Sequence, residues 1–275
     1  MDNKTLRKVQ LTMLEIAKEV KRICEENHIN YFMDSGTLIG AVRHKGFIPW
    51  DDDMDFAFLR PDYEKFIEVA RTQLKPGFIL QTWDTDPYFP YCFAKVLKEG
   101  TVYLETSYYG TKKRNELYVD LFVLDVYPDS IICRKKQGRE TQRYKHILMM
   151  QCGIKPWRAK KKLIDKIMLR VLYLPYNLLA FISSRESIKK KYLKARQRFN
   201  GLKPNNYYNA NVSKYGLYET PASCFESFCQ LPFEDTCFMA PGDSDLYLKN
   251  EYGDYMTPPP IEEREGHHNV IEVKL

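Results

Sequence analysis

Four aspartates lie within five consecutive positions, directly before a run of apolar residues. They are Asp51, Asp52, Asp53 and Asp55. Alternate residues of a β-strand project to the same side, so a strand here would bring Asp53 and Asp55 together. Two carboxylates that close repel unless a cation lies between them, and oxygen ligands of this kind suit Mg²⁺, with Mn²⁺ as a second possibility. The pattern predicts a magnesium site, although an acidic surface loop would have the same composition.

The other two aspartates of this run need a separate account. By the same alternation, Asp51 would lie on the side of the metal site, where it could support a ligand or bind Arg43. Asp52 would point to the opposite side, and we interpret it as an ordinary loop residue.

A second feature, "DSGTLIGAVR", lies upstream and predicts a site for an anion. Gly36 lies at a turn that leads into a predicted helix, Thr37 to Arg43. Asp34 or Ser35 would be the N-cap of that helix. Because the free N–H groups at a helix N-terminus favour phosphate, Ser35, Gly36 and Thr37 are candidates for phosphate binding. Arg43 could face the same phosphates or belong to a solvated basic turn.

Metal-assisted group transfer needs a further carboxylate, either to hold a second ion or to accept a proton. The stretch "ELYVDLFVLDVYP" supplies two candidates in or at the end of a strand, Asp120 and Asp125. Asp120 lies in the middle of the apolar run, where a buried acid must be paired or metal-bound. Asp125 could instead cap a turn at the strand end. We favour Asp120, and Asp125 remains the alternative.

Hydrophobic periodicity indicates the elements that must position these side chains. An amphipathic helix over residues 3–27 precedes a short strand at 31–33, and Asp62 is the expected N-cap of a later helix. The other predicted strands lie at 54–59, 78–81, 91–97, 101–104 and 117–126, and the other predicted helices at 140–200 and 243–252. Helices and strands in this mixed order predict an α/β fold with some antiparallel pairing.

The total charge of +6 conceals an uneven distribution. Residues 131–200 contain 20 Lys and Arg against three acids, a net charge of +17, which leaves −11 for the other 205 residues. Such a distribution indicates an anionic partner at the basic segment and argues against nucleic-acid binding over the whole protein. The seven cysteines are odd in number, form no Cys-x-x-Cys pair and follow no secretory apolar stretch, so we expect a reduced, cytoplasmic protein.

Within the basic segment, residues 156–194 contain an apolar stretch flanked by lysines. Internal charges at Asp165, Lys166 and Arg170 disfavour a membrane-spanning helix. Helices that lie on a membrane surface fit better, with apolar side chains toward the acyl chains and lysines toward anionic headgroups. This predicts peripheral contact with the inner face of the cytoplasmic membrane. A helical subdomain packed on the core, with a solvated basic rim, is the alternative.

Three stretches together carry a resemblance to a known family. "YFMDSGTLIGAVRHKGFIPWDDDMDFAFLRPDYEKF", "LYVDLFVLDVYP" and a C-terminal "YLKNEYGDYMTPPP" before a histidine closely resemble the LicD phosphotransferase family. The wider circle of that family includes the fukutin and fukutin-related ribitol-phosphate transferases. The likeness covers most of the chain, but the segment from about 131 to 215 matches no pattern that we recognise. The family's "GG" or "GS" turn reads Ser35-Gly36 here, a conservative departure.

The resemblance implies a nucleotidyltransferase-like mixed β-sheet flanked by helices. It implies Mg²⁺-dependent transfer of a phospho-alcohol, most often phosphocholine, from a CDP-activated donor to a sugar hydroxyl of a cell-envelope glycan. The resemblance implies that Asp53 and Asp55 bind the metal and that Asp120 is the third carboxylate of the site. The acceptor would be a lipid-linked or polymeric glycan, such as a teichoic acid or a precursor of lipopolysaccharide or capsule. The chain should divide into three parts. Residues 1–130 form the catalytic core, residues 131–215 form a basic helical insertion, and residues 216–275 form a C-terminal segment that packs back on the core.

Two features of this function are left open by the sequence. Aromatic rings could form a cage for a quaternary ammonium group, in which case the donor should be CDP-choline. If the protein has no such cage, ethanolamine, glycerol or ribitol donors are the alternatives. The candidates by location are Tyr88, Tyr91, Tyr108 and Tyr109. His267 or His268 occupies the place of the family's terminal histidine, either at the active site or in a solvated tail.

Two other functions are compatible with the same residues. A nucleotidyltransferase that moves an NMP group would use the same metal site, and release of pyrophosphate from CTP would distinguish it from release of CMP from CDP-choline. A binding module for anionic ligands would use the basic segment and would not depend on the carboxylates.

Overall fold

The computed structural model describes residues 1–159, 162–209, 219–264, 266 and 268–275. Within these residues the helices are α1 (Asn3–Glu26), α2 (Ser35–His44), α3 (Arg60–Gln73), α4 (Ile131–Gln151), α5 (Leu163–Leu172), α6 (Leu174–Ile182), α7 (Arg185–Arg196) and α8 (Ser244–Tyr252). The strands are β1 (Phe32–Met33), β2 (Asp55–Leu59), β3 (Phe78–Gln81), β4 (Ala94–Lys98), β5 (Val102–Glu105), β6 (Tyr118–Tyr127), β7 (Asn206–Asn209), β8 (Thr220–Pro221), β9 (Phe228–Phe233), β10 (Thr236–Pro241) and β11 (Val270–Lys274). The α/β fold expected from the sequence is confirmed.

The central sheet is mixed and has the strand order β1-β2-β6-β4-β3, with β7 and β8 continuing beside the second half of β6. Strands β2 and β6 run parallel, whereas β1, β4 and β7 run antiparallel to their neighbours. Their register pairs Asp55 with Asp120 and Leu59 with Leu124. The parallel pair therefore places two acids from distant parts of the chain side by side.

Helix α1 covers one face of this sheet and contacts β4 and β6. Its apolar stripe is buried, as the spacing of the sequence predicted. The stripe consists of Val9, Met13, Ile16, Val20 and Ile23. Burial of each such side chain contributes about 1.5–3 kcal/mol, so the stripe fixes the helix to the sheet.

The basic segment forms α4 to α7, which lie between β6 and β7 along the chain. Helix α4 packs against α6 and α7 around a second apolar cluster that includes Leu148 and Tyr192. Among the described helices, none is long and apolar enough to cross a bilayer. The expected boundary near residue 215 lies outside the described residues, and the division into three domains stays a prediction.

The N-cap expected at Asp62 is wrong. Helix α3 begins at Arg60, and its N-cap position is Leu59, whose side chain makes no capping hydrogen bond. Asp62 lies in the first turn, where its carboxylate accepts a hydrogen bond of 3.0 Å from the backbone N–H of Asn30. Pro61 just inside the helix start is the better boundary signal, because its missing N–H has no partner to lose there.

An ion-pair network around the fully buried pair Asp125–Arg196 joins the insertion to the sheet. The carboxylate of Asp125 accepts hydrogen bonds from Arg60, Arg196 and Asn200 at 2.6–2.8 Å. Burial alone would raise the pKa of Asp125, but the charges of Arg196 and Arg60 hold it well below its usual range. Asp125 is thus neutralised by the protein itself and links β6 to the end of α7.

We expect Asp125→Asn to lower the free energy of unfolding by about 3–5 kcal/mol, because it leaves the buried Arg196 without a counter-charge. In the wild type, the ionised Asp125 carboxylate contributes fully to the free energy of unfolding above its pKa in the unfolded chain, about 3.9. This contribution is lost as the pH falls from there toward the lower pKa of Asp125 in the folded protein. Urea unfolding measured by circular dichroism tests both points. Glu64→Gln, which removes an exposed carboxylate 4.0 Å from the same Arg60, is the control and should cost less than about 1 kcal/mol. Equal losses in the two variants would contradict the assignment.

Candidate active site

The start of α2 is held in place from two sides. Asp34 is its N-cap and accepts a 2.7 Å hydrogen bond from the backbone N–H of Ser35. The hydroxyl of Tyr247 in α8 donates to the same carboxylate. The backbone N–H of Asp34 donates to the carbonyl of Asp55, at 3.0 Å. The helix N-terminus is therefore tied to both α8 and β2, and of the two predicted caps the structure selects Asp34.

The predicted phosphate-binding turn lies against the acidic run. The Thr37 hydroxyl accepts a 2.8 Å hydrogen bond from the backbone N–H of Asp55, which joins α2 to the first residue of β2. A Cβ atom on Gly36 would lie 2.7 Å from Oδ2 of Asp51. Glycine is required at position 36 because the Asp51 carboxylate approaches the helix backbone this closely.

Four acids surround this helix start, and we call them the carboxylate cluster: Asp51, Asp53, Asp55 and Asp120. Burial and the charges of Asp53 and Asp120 raise the pKa of Asp55 well above its usual value. Burial and the charge of Asp53 do the same for Asp51. Asp53 itself keeps a fifth of its side chain exposed. The structure thus brings together the acids predicted for the metal site, although Asp53 lies just before β2 rather than on it.

Asp120 is paired with a lysine that the sequence analysis missed. Lys95 lies opposite Asp120 in the register of β4 and β6, and its Nζ is 2.9 Å from Asp120 Oδ1. The same ammonium lies 3.1 Å from the ring centroid of Tyr118. Burial raises the pKa of Asp120, and Lys95 partly offsets this effect. A lone lysine in the apolar run "YCFAKVL" is the signal that could have identified it, because a buried ammonium needs a partner.

A second buried lysine, Lys113, lies near this pair. Its Nζ donates to the carbonyl of Arg114 at 3.2 Å and lies 4.0 Å from the ring centroid of Tyr108. Burial and the charge of Lys95 lower the pKa of Lys113 to about 7. This lysine therefore changes its charge near neutral pH.

The chain end returns to the acidic run at His268. The backbone N–H of His268 donates to Asp52 Oδ2 at 3.3 Å, and its Nδ1 lies 3.4 Å from Asp52 Oδ1. The hydroxyl of Tyr103 donates to Asp52 Oδ2 at 3.1 Å. Burial opposes the charged form of His268, but Asp52 and Glu105 raise its pKa to about 9. The ordinary loop role expected for Asp52 is wrong, since it is buried and connects the loop to the chain end; His267 lies outside the described residues.

Arg43 and Asp125 have other partners in the structure. The guanidinium of Arg43 donates to the carbonyl of Tyr255 at 2.9 Å and to the ring of His44 at 3.1 Å. Its binding of phosphates stays a prediction. Asp125 is saturated by two arginines, so Asp120 is the acid of this strand that lies beside Asp55.

The aromatic candidates for a choline cage lie close to the protein's own cations. Tyr91 and Tyr108 share a hydrogen bond of 2.9 Å between their hydroxyls. Lys113 lies over the ring of Tyr108, and Lys112 lies 5.5 Å from the ring of Tyr88. A cage formed by these tyrosines stays a prediction.

The carboxylate cluster fits a divalent cation by its chemistry. Among the residues that the structure describes, no three His, Cys, Asp or Glu side chains are placed so that together they could hold a metal ion. However, Oδ1 of Asp51 is buried and has no hydrogen-bond partner among them. The donors are all carboxylate oxygens, as hard cations prefer, and a cation would relieve the repulsion that raises the pKa values of Asp51 and Asp55.

A cavity of about 680 Å³ opens at Asp52 and His268. Asp52 and His268 form one wall, and Trp50 and Arg264 form another, with the guanidinium 5.0 Å from the indole ring. Its size is in the range of ligand-binding pockets. A substrate in it would lie next to the acidic run.

Comparisons with known proteins agree with this geometry. The LicD/FKTN/FKRP nucleotidyltransferase domain matches residues 28–148. The chain is 29% identical to the lipopolysaccharide cholinephosphotransferase LicD of Haemophilus influenzae over 98% of its own length and 97% of that protein. An uncharacterized protein of Rickettsia prowazekii, RP689, is 30% identical over 44% of this chain and 42% of its own length.

The matched range contains the whole carboxylate cluster and the helix start behind it, so residues 28–148 form a nucleotidyltransferase-type domain. The match within the domain is supported by similarity to the Haemophilus protein along nearly the entire chain. These two matches support membership of the LicD family, as the motifs of the chain predicted.

We expect Gly36→Ala to lower the free energy of unfolding by about 1–3 kcal/mol, because the new Cβ would displace the Asp51 carboxylate. Urea unfolding measures the loss. Gly201→Ala, at an exposed glycine with open space around the added Cβ, is the matched control and should stay within about 0.5 kcal/mol of wild type. An unchanged stability of Gly36→Ala would show that Asp51 does not approach this helix.

We expect the contribution of Lys113 to stability to rise with pH between about 7 and 10. Lys113 has a pKa of about 7 in the folded protein and about 10.4 in the unfolded chain, so between these values the unfolded chain binds more protons. Below pH 7 Lys113 is charged in both states, and the folded protein is destabilised by the full cost of burying that charge. The stability of Lys113→Met relative to wild type should therefore be highest near pH 6 and decline toward pH 10, as urea unfolding at several pH values would show. Lys112→Met removes the exposed neighbouring lysine, and the same pH dependence in both variants would contradict the assignment.

Proposed function

We propose that this protein transfers phosphocholine from CDP-choline to a sugar hydroxyl of a cell-envelope glycan. The observation that carries the proposal is the carboxylate cluster, built by parallel strands β2 and β6 in front of the N-terminus of α2. The Haemophilus relative, which matches nearly the full length of the chain, is named as a lipopolysaccharide cholinephosphotransferase. We therefore favour a lipopolysaccharide precursor as acceptor over a teichoic acid or capsule precursor.

In this proposal the donor diphosphate lies between the helix start and the acids. The turn of Ser35, Gly36 and Thr37 binds a phosphate oxygen through the N-terminus of α2. Asp34 and Tyr247 orient that turn from behind. Asp53 and Asp55 would hold Mg²⁺, or Mn²⁺ in its place, which would supply charge neutralisation for the diphosphate.

The transfer itself is an in-line displacement at the phosphorus that bears choline. The acceptor oxygen forms a bond to this phosphorus while the bridging P–O bond breaks, and CMP leaves with the bond's electron pair. Asp120 accepts the proton of the acceptor hydroxyl, and burial favours this step because it raises the pKa of Asp120. Lys95 holds the carboxyl of Asp120 in position.

The acceptor sugar enters through the cavity beside Asp52 and His268. His268 is held to Asp52, lies 4.0 Å from Asp53 and lines this cavity, so it keeps Asp52 in place at the cavity wall. We further propose that the protein works in the cytoplasm at the inner face of the membrane, where residues 156–194 make peripheral contact.

The central test is CMP release from CDP-choline with a short, soluble glycan acceptor. We expect Asp53→Asn and Asp55→Asn each to lower kcat by at least about a hundredfold, because each removes charge from the metal site. Chelation of divalent ions should abolish turnover, and added Mg²⁺ should restore it.

Asp129→Asn is the matched control. Asp129 is exposed just after β6, and within the described residues its side chain accepts one hydrogen bond, from Asn205. It should keep wild-type turnover. Pyrophosphate release from CTP without CMP release from CDP-choline would replace the proposal with nucleotidyl transfer. Full activity of Asp53→Asn would remove the metal site from the reaction.

A further inference from the structure

Helix α5 is amphipathic, but its apolar face points away from the protein. Ile164, Ile167, Met168 and Val171 recur at the spacing of one helix face, and each is more than half exposed. Ile164 is 73% exposed, whereas Asp165 and Lys166 on the other side are partly covered. A helix on the surface of a globular protein normally has the opposite orientation, so this face lacks a partner in the described structure.

Helix α6 extends the same surface. Leu178 is 62% exposed and Phe181 is 90% exposed, while Tyr176 and Leu179 pack inward on the apolar cluster of α4. Contiguous apolar surface of this kind marks an interaction site. We call the outward side of α5 and α6 the apolar face.

A basic cavity of about 520 Å³ lies along the edge of the apolar face. Four cations line it, and among the described residues none of them forms an ion pair with an acid. They are Lys155, Arg158, Lys166 and Arg170. Arg158 is fixed by a hydrogen bond of 2.7 Å to the carbonyl of Tyr109, and Lys166 and Arg170 are one turn apart on α5. The cavity is therefore a site for an anion that borders an apolar surface.

We propose that the basic cavity binds the phosphate of an anionic lipid headgroup while the apolar face enters the acyl region of the same bilayer. Interfacial helices have this composition, with Leu, Ile and Phe on one side and basic residues at the boundary. The helices have 10 and 9 residues, whereas a span needs about 20, so they lie on the surface. A second copy of the chain is a poor occupant, because both copies would bring the +17 segment to the contact.

This inference rests on the proposed function in one respect: it explains how a lipid-linked acceptor reaches the site. The wall of the basic cavity includes Thr106 and Ile271. The backbone N–H of Thr106 donates to the carbonyl of Asn269 at 2.8 Å, next to His268. The basic cavity is thus lined at the same β5–β11 pair that brings His268 to Asp52.

Flotation of the full-length protein with vesicles tests the proposal. The vesicles are phosphatidylcholine alone, or phosphatidylcholine mixed with an equal amount of phosphatidylglycerol. We expect binding to the mixed vesicles and about thirtyfold weaker binding by K166Q/R170Q, because each basic residue at the surface is worth about fivefold. L178S/F181S, which changes exposed positions of the apolar face, should also bind at least about tenfold more weakly.

K135Q/K136Q is the matched control, since it removes the same charge from exposed positions of α4 outside the cavity. It should lose less than about threefold in binding. Equal losses in K166Q/R170Q and K135Q/K136Q would overturn the proposal. So would equal binding to both kinds of vesicle, no binding by wild type, or self-association that L178S/F181S abolishes. CMP release with the soluble acceptor should stay at the wild-type rate in K166Q/R170Q. If wild type lacks that turnover but still binds the mixed vesicles, the proposed function fails and the lipid site stands.

Discussion

Repulsion among buried carboxylates is the constraint on which the site depends. The parallel register of β2 and β6 forces Asp55 and Asp120 next to each other, and Asp51 and Asp53 approach from the preceding loop. Lys95 offsets part of this charge at Asp120, and the start of α2 lies against Asp51. Asp51 and Asp55 have raised pKa values, because burial and the neighbouring negative charges disfavour their charged forms, and a divalent cation bound among these acids would relieve that repulsion.

Two aspartates five residues apart on β6 show how differently the fold treats acids. Asp125 has two arginines and an asparagine, and its pKa is held low. Asp120 has one lysine, and its pKa is raised by burial. A purely structural acid is neutralised by its surroundings, as Asp125 is. The incomplete neutralisation of Asp120 agrees with the role that we propose for it.

Local patterns in the sequence predicted much of the core. The stripe of α1 and an N-cap of α2 at Asp34 or Ser35 follow from residue spacing. The preference for Asp120 over Asp125 as the site acid stays a prediction. Contacts between distant segments could not be predicted in this way. His268 meets Asp52 across 216 residues, and no local pattern encodes that pairing. Lys95 was missed because its partner is on another strand, and β11 was missed because its residues read as an exposed tail.

The position of the insertion explains how a docking surface can coexist with a rigid site. Helices α4 to α7 enter after β6 and return to the sheet through β7, so they interrupt neither β2 nor the strand segment that carries Asp120. Arg196 at the end of α7 binds Asp125, which fixes the insertion to the sheet through a fully buried ion pair. The orientation of the apolar face relative to the carboxylate cluster is then set by packed contacts rather than by a free linker. A bilayer bound to α5 and α6 would accordingly lie at a defined distance and angle from the cavity that we propose for the acceptor sugar.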